Sequence, residues 1–248
     1  MNVLLCSFFA MSGGLLTAGL AAGDLRRAGI FVICMILAIG VHEFSHAYAA
    51  HRLGDPTPEG QGRLTLNPIA HMDPIGTLAL PLILGLGILG KGFIFGWGRP
   101  VQTNPRHYTR KVTMRSGMAL VAFAGPLSNL LLAIISLGVV FGLSAAGVIS
   151  GQALLIDVAS NKAFENPLTA FYYLNILLFA FNLLPFHPLD GGKVLAWLLG
   201  SKYQHIDDFL MRYGFMIVLV LVFALPGAIN TLIGPFFAAG NWALAAVL

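Results

Sequence analysis

The stretch Ile36-Leu37-Ala38-Ile39-Gly40-Val41-His42-Glu43-Phe44-Ser45-His46-Ala47-Tyr48 places a glutamate and two histidines inside an apolar run that extends from 28 to 50. A run of about 20 apolar residues suffices for a helix to cross the hydrocarbon core. The polar triplet therefore lies where ionisable groups are expensive unless they have partners. The rest of the chain has the same character. Of its 248 residues, 57% are hydrophobic and 10% are charged, with a mean hydropathy of +0.82. Soluble domains carry about 25% charged residues, so the composition defines an integral membrane protein and leaves no tract polar and long enough for a separate soluble domain.

Further apolar runs fall at about 3–22, 74–90, 116–147, 168–186 and 213–237. The first has no basic residues before it, as a cleaved leader would, so it reads as an uncleaved helix. The run from Ile75 to Gly90 is broken by Pro81 and four glycines. Gly62-Arg63-Leu64-Thr65-Leu66-Asn67-Pro68 and Phe93-Ile94-Phe95-Gly96-Trp97-Gly98-Arg99-Pro100-Val101 have short-strand texture with turn residues. The expected fold is an all-α polytopic membrane protein of five to six transmembrane helices, with a small membrane-associated β-hairpin or sheet and a re-entrant segment. One domain over 1–248 is expected, its core at about 28–215 and a β-rich, re-entrant insertion at about 53–115.

The net charge of +4 places basic residues in the loops between apolar runs. Membrane orientation and anionic headgroups account for them, and no nucleic-acid partner is implied. The cysteines, Cys6 and Cys34, both lie in apolar runs and form no C-x-x-C pair, which argues against a disulfide framework.

His42-Glu43-x-x-His46 has a specific chemical meaning. Residues i and i+4 share one helix face, so both imidazoles reach one ion. Glu43 falls beside the ion rather than on it, where it can take a proton from a water at the metal. With 7 His and 3 Glu in the chain, the pattern arises by chance about twice in a thousand such sequences. A hydrolytic metal site needs a third protein ligand and an open position. Asp190 is the leading candidate, in the loop Asn182-Leu183-Leu184-Pro185-Phe186-His187-Pro188-Leu189-Asp190-Gly191-Gly192 that follows an apolar run. His187, His71 and Asp73 are its rivals.

These features resemble the site-2 protease family of intramembrane zinc metalloproteases, in its compact bacterial or archaeal form without a PDZ or nucleotide-sensing (CBS) domain. The resemblance rests on His42-Glu43-x-x-His46 and on Asn182-x-x-Pro185-x-x-Pro188-Leu189-Asp190-Gly191. It extends through Gly62-Arg63-Leu64-Thr65-Leu66-Asn67-Pro68, Asp73-Pro74-x-Gly76-Thr77, Phe95-Gly96-Trp97 and Ala124-Gly125-Pro126-x-x-Asn129. It implies one Zn2+ per chain held by His42, His46 and Asp190, with Glu43 activating a zinc-bound water. It also implies that Asn182, Pro185 and Asn129 serve an unwound substrate segment. The implied activity is endopeptidase cleavage of a transmembrane or membrane-embedded protein segment, in the bacterial cytoplasmic membrane with the active site toward the cytoplasm.

Two topologies give the same charge asymmetry, 3 Lys/Arg on one face against 11 on the other, whether 75–90 crosses or returns. Sharing of one ion separates them. His46 lies near the C-terminal end of run 28–50 and Asp190 just beyond the end of run 168–186, so both ends must face one side. The expectation is that 75–90 does not span. A membrane transporter or metal carrier is the competing class, since intramembrane His and Asp also mark ion pathways. A carrier has no use for a non-ligand base at the Glu43 offset. A catalytically dead scaffold is disfavoured because every expected catalytic residue is present.

Overall fold

The computed structural model describes residues 22–86, 96–160 and 162–248, and the apolar run at 3–22 lies almost wholly outside them. The described helices are α1 (Ala22–Arg52), α2 (Thr57–Gly60), α3 (Leu80–Gly85), α4 (Met114–Ala145), α5 (Gly151–Ala159), α6 (Pro167–Asn182), α7 (Asp190–Leu199), α8 (Gln204–Leu219) and α9 (Pro226–Val247).

Helices α1 and α4 pack against each other, and α4 also packs on α6 and α7. Their shared core joins Phe31, Met35 and Ala38 of α1 to Tyr173, Leu174 and Leu177 of α6. Ile33 and Leu37 of α1 and Leu131, Ile134 and Ile135 of α4 stay exposed. In water such apolar surface would be a liability; in hydrocarbon it is the expected outer face. Thr113 starts α4 by accepting the Ser116 N–H, a side-chain cap for one of the orphan donors of the first turn.

Five to six spans do not form among the described residues. Among those residues two helices are long and apolar enough to cross, Leu25–Arg52 and Met114–Ala145, and a third span is reached if the bent pair Ser201–Ala224 and Gly227–Val247 counts as one. The apolar run at 168–186 folds as α6, whose 16 residues give a length of about 24 Å, short of a ~30 Å core. Asn166 caps its start by accepting the Leu168 N–H, and Asn182 closes its end. The run at 213–237 breaks in the middle. A π turn at Val220–Ala224 leads to Pro226 at the start of α9, and the two arms meet at 89°.

The expected β-hairpin is also absent: among the described residues there is no strand. Between Gly62 and Pro68 the backbone donors that are paired, those of Gly62, Arg63 and Asn67, find acceptors within a few residues. The Thr65 hydroxyl accepts the Asn67 N–H, and the Asn67 side chain accepts from Ile69 at the head of the 3-10 turn Pro68–His71. Residues 93–95 lie outside the described residues. From Gly96 to Val101 the chain has no regular structure, and its donors go to single acceptors rather than to a ladder. Trp97 N–H reaches Gly76 O at 3.1 Å and Arg99 N–H reaches His71 O at 2.8 Å. The Thr77 hydroxyl donates to Trp97 O at 2.7 Å. Asp73-Pro74-x-Gly76-Thr77 and Gly96-Trp97 thus hold the two ends of the segment 77–96 together. A π turn at Pro74–Ala79 leads into this segment and runs on into α3, which ends at Gly85 with Leu86 as its cap.

Candidate metal centre

Three elements converge beneath the segment Gly96–Val101. α1 carries His42, Glu43 and His46; α4 passes behind the two imidazoles; and the loop after α6 delivers Asp190 as the first residue of α7. His42 Nε2 lies 3.2 Å and His46 Nε2 3.1 Å from Asp190 Oδ2. The two Nε2 atoms are 3.0 Å apart. All three side chains are buried.

The outer nitrogens define what the inner ones can do. His46 Nδ1 lies 2.7 Å from the carbonyl of Val121. A carbonyl only accepts, so Nδ1 carries the proton and Nε2 of the neutral ring presents a lone pair. His42 Nδ1 lies 2.6 Å from Asn129 Oδ1. The Asn129 amide is oriented by its Nδ2, which donates to Asn175 Oδ1 at 2.9 Å, while Asn175 donates to Phe171 O at 2.8 Å. Two neutral imidazole lone pairs and a carboxylate oxygen therefore face one another, an arrangement that a cation at their centre satisfies. Corners of a tetrahedron around zinc, with bonds of about 2.0–2.1 Å, are spaced about 3.3 Å apart, close to the spacing found here. The donor set fits a zinc ion.

Small residues permit this convergence. A Cβ on Gly125 of α4 would lie 2.4 Å from His46 Nε2 and 2.7 Å from His42 Cε1. Only a glycine lets α4 pass so close to both rings. A Cβ on Gly191 would lie 2.3 Å from the carbonyl oxygens of both Leu183 and Leu184, so the glycine after Asp190 lets α7 begin tight against the end of α6.

The fourth side opens on a cavity of about 160 Å³, lined by Glu43, Val101, Thr103, Asn182, Pro188 and Lys193 among others. Glu43 lies outside the trio, and its carboxylate accepts the Val101 N–H at 3.0 Å. Lys193, one turn beyond Asp190 on α7, places Nζ 3.6 Å from Asp190 Oδ1.

The other candidates from the sequence sit as follows. Asn182 lines the cavity and donates its amide to Leu178 O. Pro185 is exposed on the same loop and does not line the cavity. Asn129 is fully buried behind His42, which makes it a positioning residue for the imidazole rather than a wall of the cavity. The rival ligands are engaged elsewhere: His187 pairs with Asp207 at 3.0 Å, His71 contacts Thr65 O at 2.8 Å, and Asp73 accepts the Ile75 and Gly76 N–H groups. Sequence reasoning missed Val121, Val101 and Asn175. Val121 and Val101 act through backbone atoms, which leave no side-chain signature. Gly125 stood inside a noted motif, but its purpose shows only in the approach of α4 to the rings.

An apolar helical protein with a His-His-Asp trio and an adjacent glutamate falls in the class of membrane metallohydrolases. The chain belongs to Peptidase family M50, whose model matches residues 30–222. It is 38% identical over 190 residues to YwhC of Bacillus subtilis (strain 168), covering 77% of this chain and 78% of that protein. It is 32% identical over 226 residues to Rip2 of Mycolicibacterium smegmatis, covering 85% and 75%. Against Rip2 of Mycobacterium tuberculosis (strain H37Rv) the identity is 30% over 230 residues, covering 91% and 78%. Each of these relatives bears the name "putative zinc metalloprotease". No solved structure matches the chain. The protein is accordingly a metalloendopeptidase.

Proposed function

We propose that this peptidase hydrolyses peptide bonds in transmembrane or membrane-embedded protein segments, using one Zn2+ held by His42, His46 and Asp190, with Glu43 as general base. The observation that carries the reading is the convergence of two Nε2 lone pairs and a carboxylate oxygen at 3.0–3.2 Å on an apolar helix, beside a glutamate that is not part of the trio. Bound zinc would supply Lewis-acid polarisation of the scissile carbonyl and a lowered pKa for the attacking water.

The chain's own groups do the remaining work. Glu43 accepts the water proton as the oxygen attacks the carbonyl carbon, then delivers it to the amide nitrogen as the C–N bond breaks. The Val101 N–H fixes the Glu43 carboxylate at the cavity wall. Asn129 and the Val121 carbonyl keep both imidazoles in the Nδ1–H tautomer. Buried His42, His46 and Asp190 within an apolar helical protein favour a substrate delivered from the bilayer. A helical peptide shields its carbonyls, so the segment must unwind to present one to Glu43. The 11-to-3 distribution of basic residues favours an inner-membrane protein with this end of α1 toward the cytoplasm.

The test uses purified full-length protein and a single-span substrate. Glu43→Gln is expected to keep one zinc per chain and to lose cleavage, whereas Asp190→Asn is expected to lose the zinc. Cleavage that survives Glu43→Gln would refute the mechanism, and full zinc occupancy in Asp190→Asn would remove Asp190 from the ligand set.

A further inference from the structure

Next to the catalytic cavity lies a second, larger pocket of about 510 Å³, walled by Gln61, Arg63, Ala70, Arg99, Pro100 and Gln102. Pro100 also lines the cavity that holds Glu43, so the two spaces share a wall. The larger one is basic. Arg63 is only 5% exposed, and its guanidinium donates to Ala70 O. Arg99 projects from the segment between the two spaces. Among the described residues, no carboxylate forms an ion pair with either arginine.

Arg63 is an expensive residue to place here. Its pKa is pulled below the ordinary guanidinium value first by burial and then by the Arg99 charge, with the Glu43 carboxylate pulling the other way. A buried guanidinium facing a second cation, with donors left over, is a site for an anion. The amide side chains of Gln61 and Gln102, 3.3 Å apart, close the rim with further hydrogen-bonding groups.

The position of the pocket identifies the anion. Val101 N–H binds Glu43, and Arg99 is two residues earlier on the same segment. At about 3.3 Å per residue for extended chain, Arg99 lies within reach of a substrate residue close to the cleaved bond. Building on the peptidase reading above, we propose that this pocket is a specificity subsite that takes an Asp or Glu side chain of the substrate, about two or three residues from the scissile bond. Arg63 forms its floor and Arg99 its lip. A phospholipid headgroup is less favoured, because Arg63 is buried and the pocket opens beside Glu43.

The test compares single-span peptides carrying Asp or Asn at each position around the cleavage site. They are incubated with the full chain in zwitterionic micelles, and products are mapped by mass. At one position the Asp peptide is expected to have a kcat/KM about tenfold or more above the Asn peptide, the scale of a charge-assisted hydrogen bond. Within Arg99→Gln that ratio falls to about two or less, within Arg99→Glu it inverts in favour of the Asn peptide, and within Arg110→Gln it is kept. Equal ratios at every position, or a preference that survives Arg99→Gln, would overturn the subsite. So would an Arg99→Gln effect that needs anionic phospholipid and ignores substrate sequence, which would make the pocket a headgroup site.

A binding arm separates this subsite from catalysis. On Glu43→Gln protein, tighter binding of the Asp peptide that disappears with Arg99→Gln supports the subsite even if no peptide is cleaved. Equal binding of the two peptides overturns it whatever the catalytic mechanism.

Discussion

His42 Nδ1 and Asn129 Oδ1 lie 2.6 Å apart across the α1–α4 interface, which ties the metal-facing ring to an amide that is itself held by Asn175. Removing an outer partner of a metal-ligating histidine typically costs about 10–100-fold in metal affinity or activity. Asn129→Ala should therefore weaken zinc binding on that scale, measured by competition with a chromophoric chelator. Asn129→Asp restores the acceptor and should recover part of the loss. An alanine variant with unaltered zinc affinity would show that His42 is held by packing alone.

Gly125 makes the opposite kind of prediction, since it contributes space rather than a bond. A methyl group there would stand 2.4 Å from the His46 ring, so α4 or the imidazoles must shift. Overpacking of this kind costs about 1–3 kcal/mol. Gly125→Ala should lower the thermal unfolding midpoint modestly and should lower zinc content much more. Gly138, on the same helix with open space around it, is the control, and Gly138→Ala should change neither quantity.

The degree to which the sequence disclosed this architecture follows from the kind of interaction involved. His42 and His46 were legible because helical periodicity alone places i and i+4 on one face. The approach of Asp190 to them was foreshadowed by its place in a loop bent by two prolines and two glycines just after an apolar run. The β-hairpin reading failed because a strand is defined by a partner. Alternating residues flanked by Gly and Pro look the same whether they pair with a ladder or, as at Thr65 and Asn67, cap their own turns. The span count failed because hydropathy registers composition and not continuity. Asn166 and Asn182 delimit α6 at 16 residues, and Pro226 allows an 89° bend within a run that is apolar on both sides. The pocket at Arg63 and Arg99 was hidden because those residues are 36 apart in sequence, and no local pattern brings two loop arginines together.

Asp55 gives a pH prediction away from the metal. It is fully buried and accepts from Thr57 N–H at 3.0 Å, Asn104 N–H at 2.6 Å and His107 Nδ1 at 3.2 Å, as well as from the Thr57 hydroxyl. It thereby pins the loop after α1 to the segment before α4. Burial alone raises its pKa, but these hydrogen bonds outweigh burial and hold it below the ordinary 3.8. A carboxyl depressed in the folded state contributes stability that is complete above its unfolded value and is lost as pH falls through the folded one. Amide exchange of Asn104 should therefore accelerate as pH drops below about 4, after correction for intrinsic rates. Asp55→Asn should exchange faster at neutral pH and lose the acid dependence. An unchanged acid profile in that variant would assign the loosening to another group.

The last prediction concerns sidedness. Thr109 N–H donates to Leu53 O at 2.6 Å, and Asp55 binds Asn104 and His107, so the loop leaving α1 and the segment entering α4 lie together. Asp190, just past the end of α6, meets His46 at 3.1 Å, which brings the 183–189 loop to that same end of α1. Gln61, Arg106 and Pro185 are all exposed, and cysteines placed singly at these positions, in a chain with Cys6→Ser and Cys34→Ala, should label from one side of sealed vesicles. On the orientation proposed above that side is the cytoplasmic one, so a membrane-impermeant thiol reagent should modify all three in inverted vesicles and none in right-side-out vesicles. Opposite labelling of Gln61 and Arg106 is incompatible with the Leu53–Thr109 contact. Opposite labelling of Gln61 and Pro185 would exclude Asp190 as a ligand to the ion on His42 and His46.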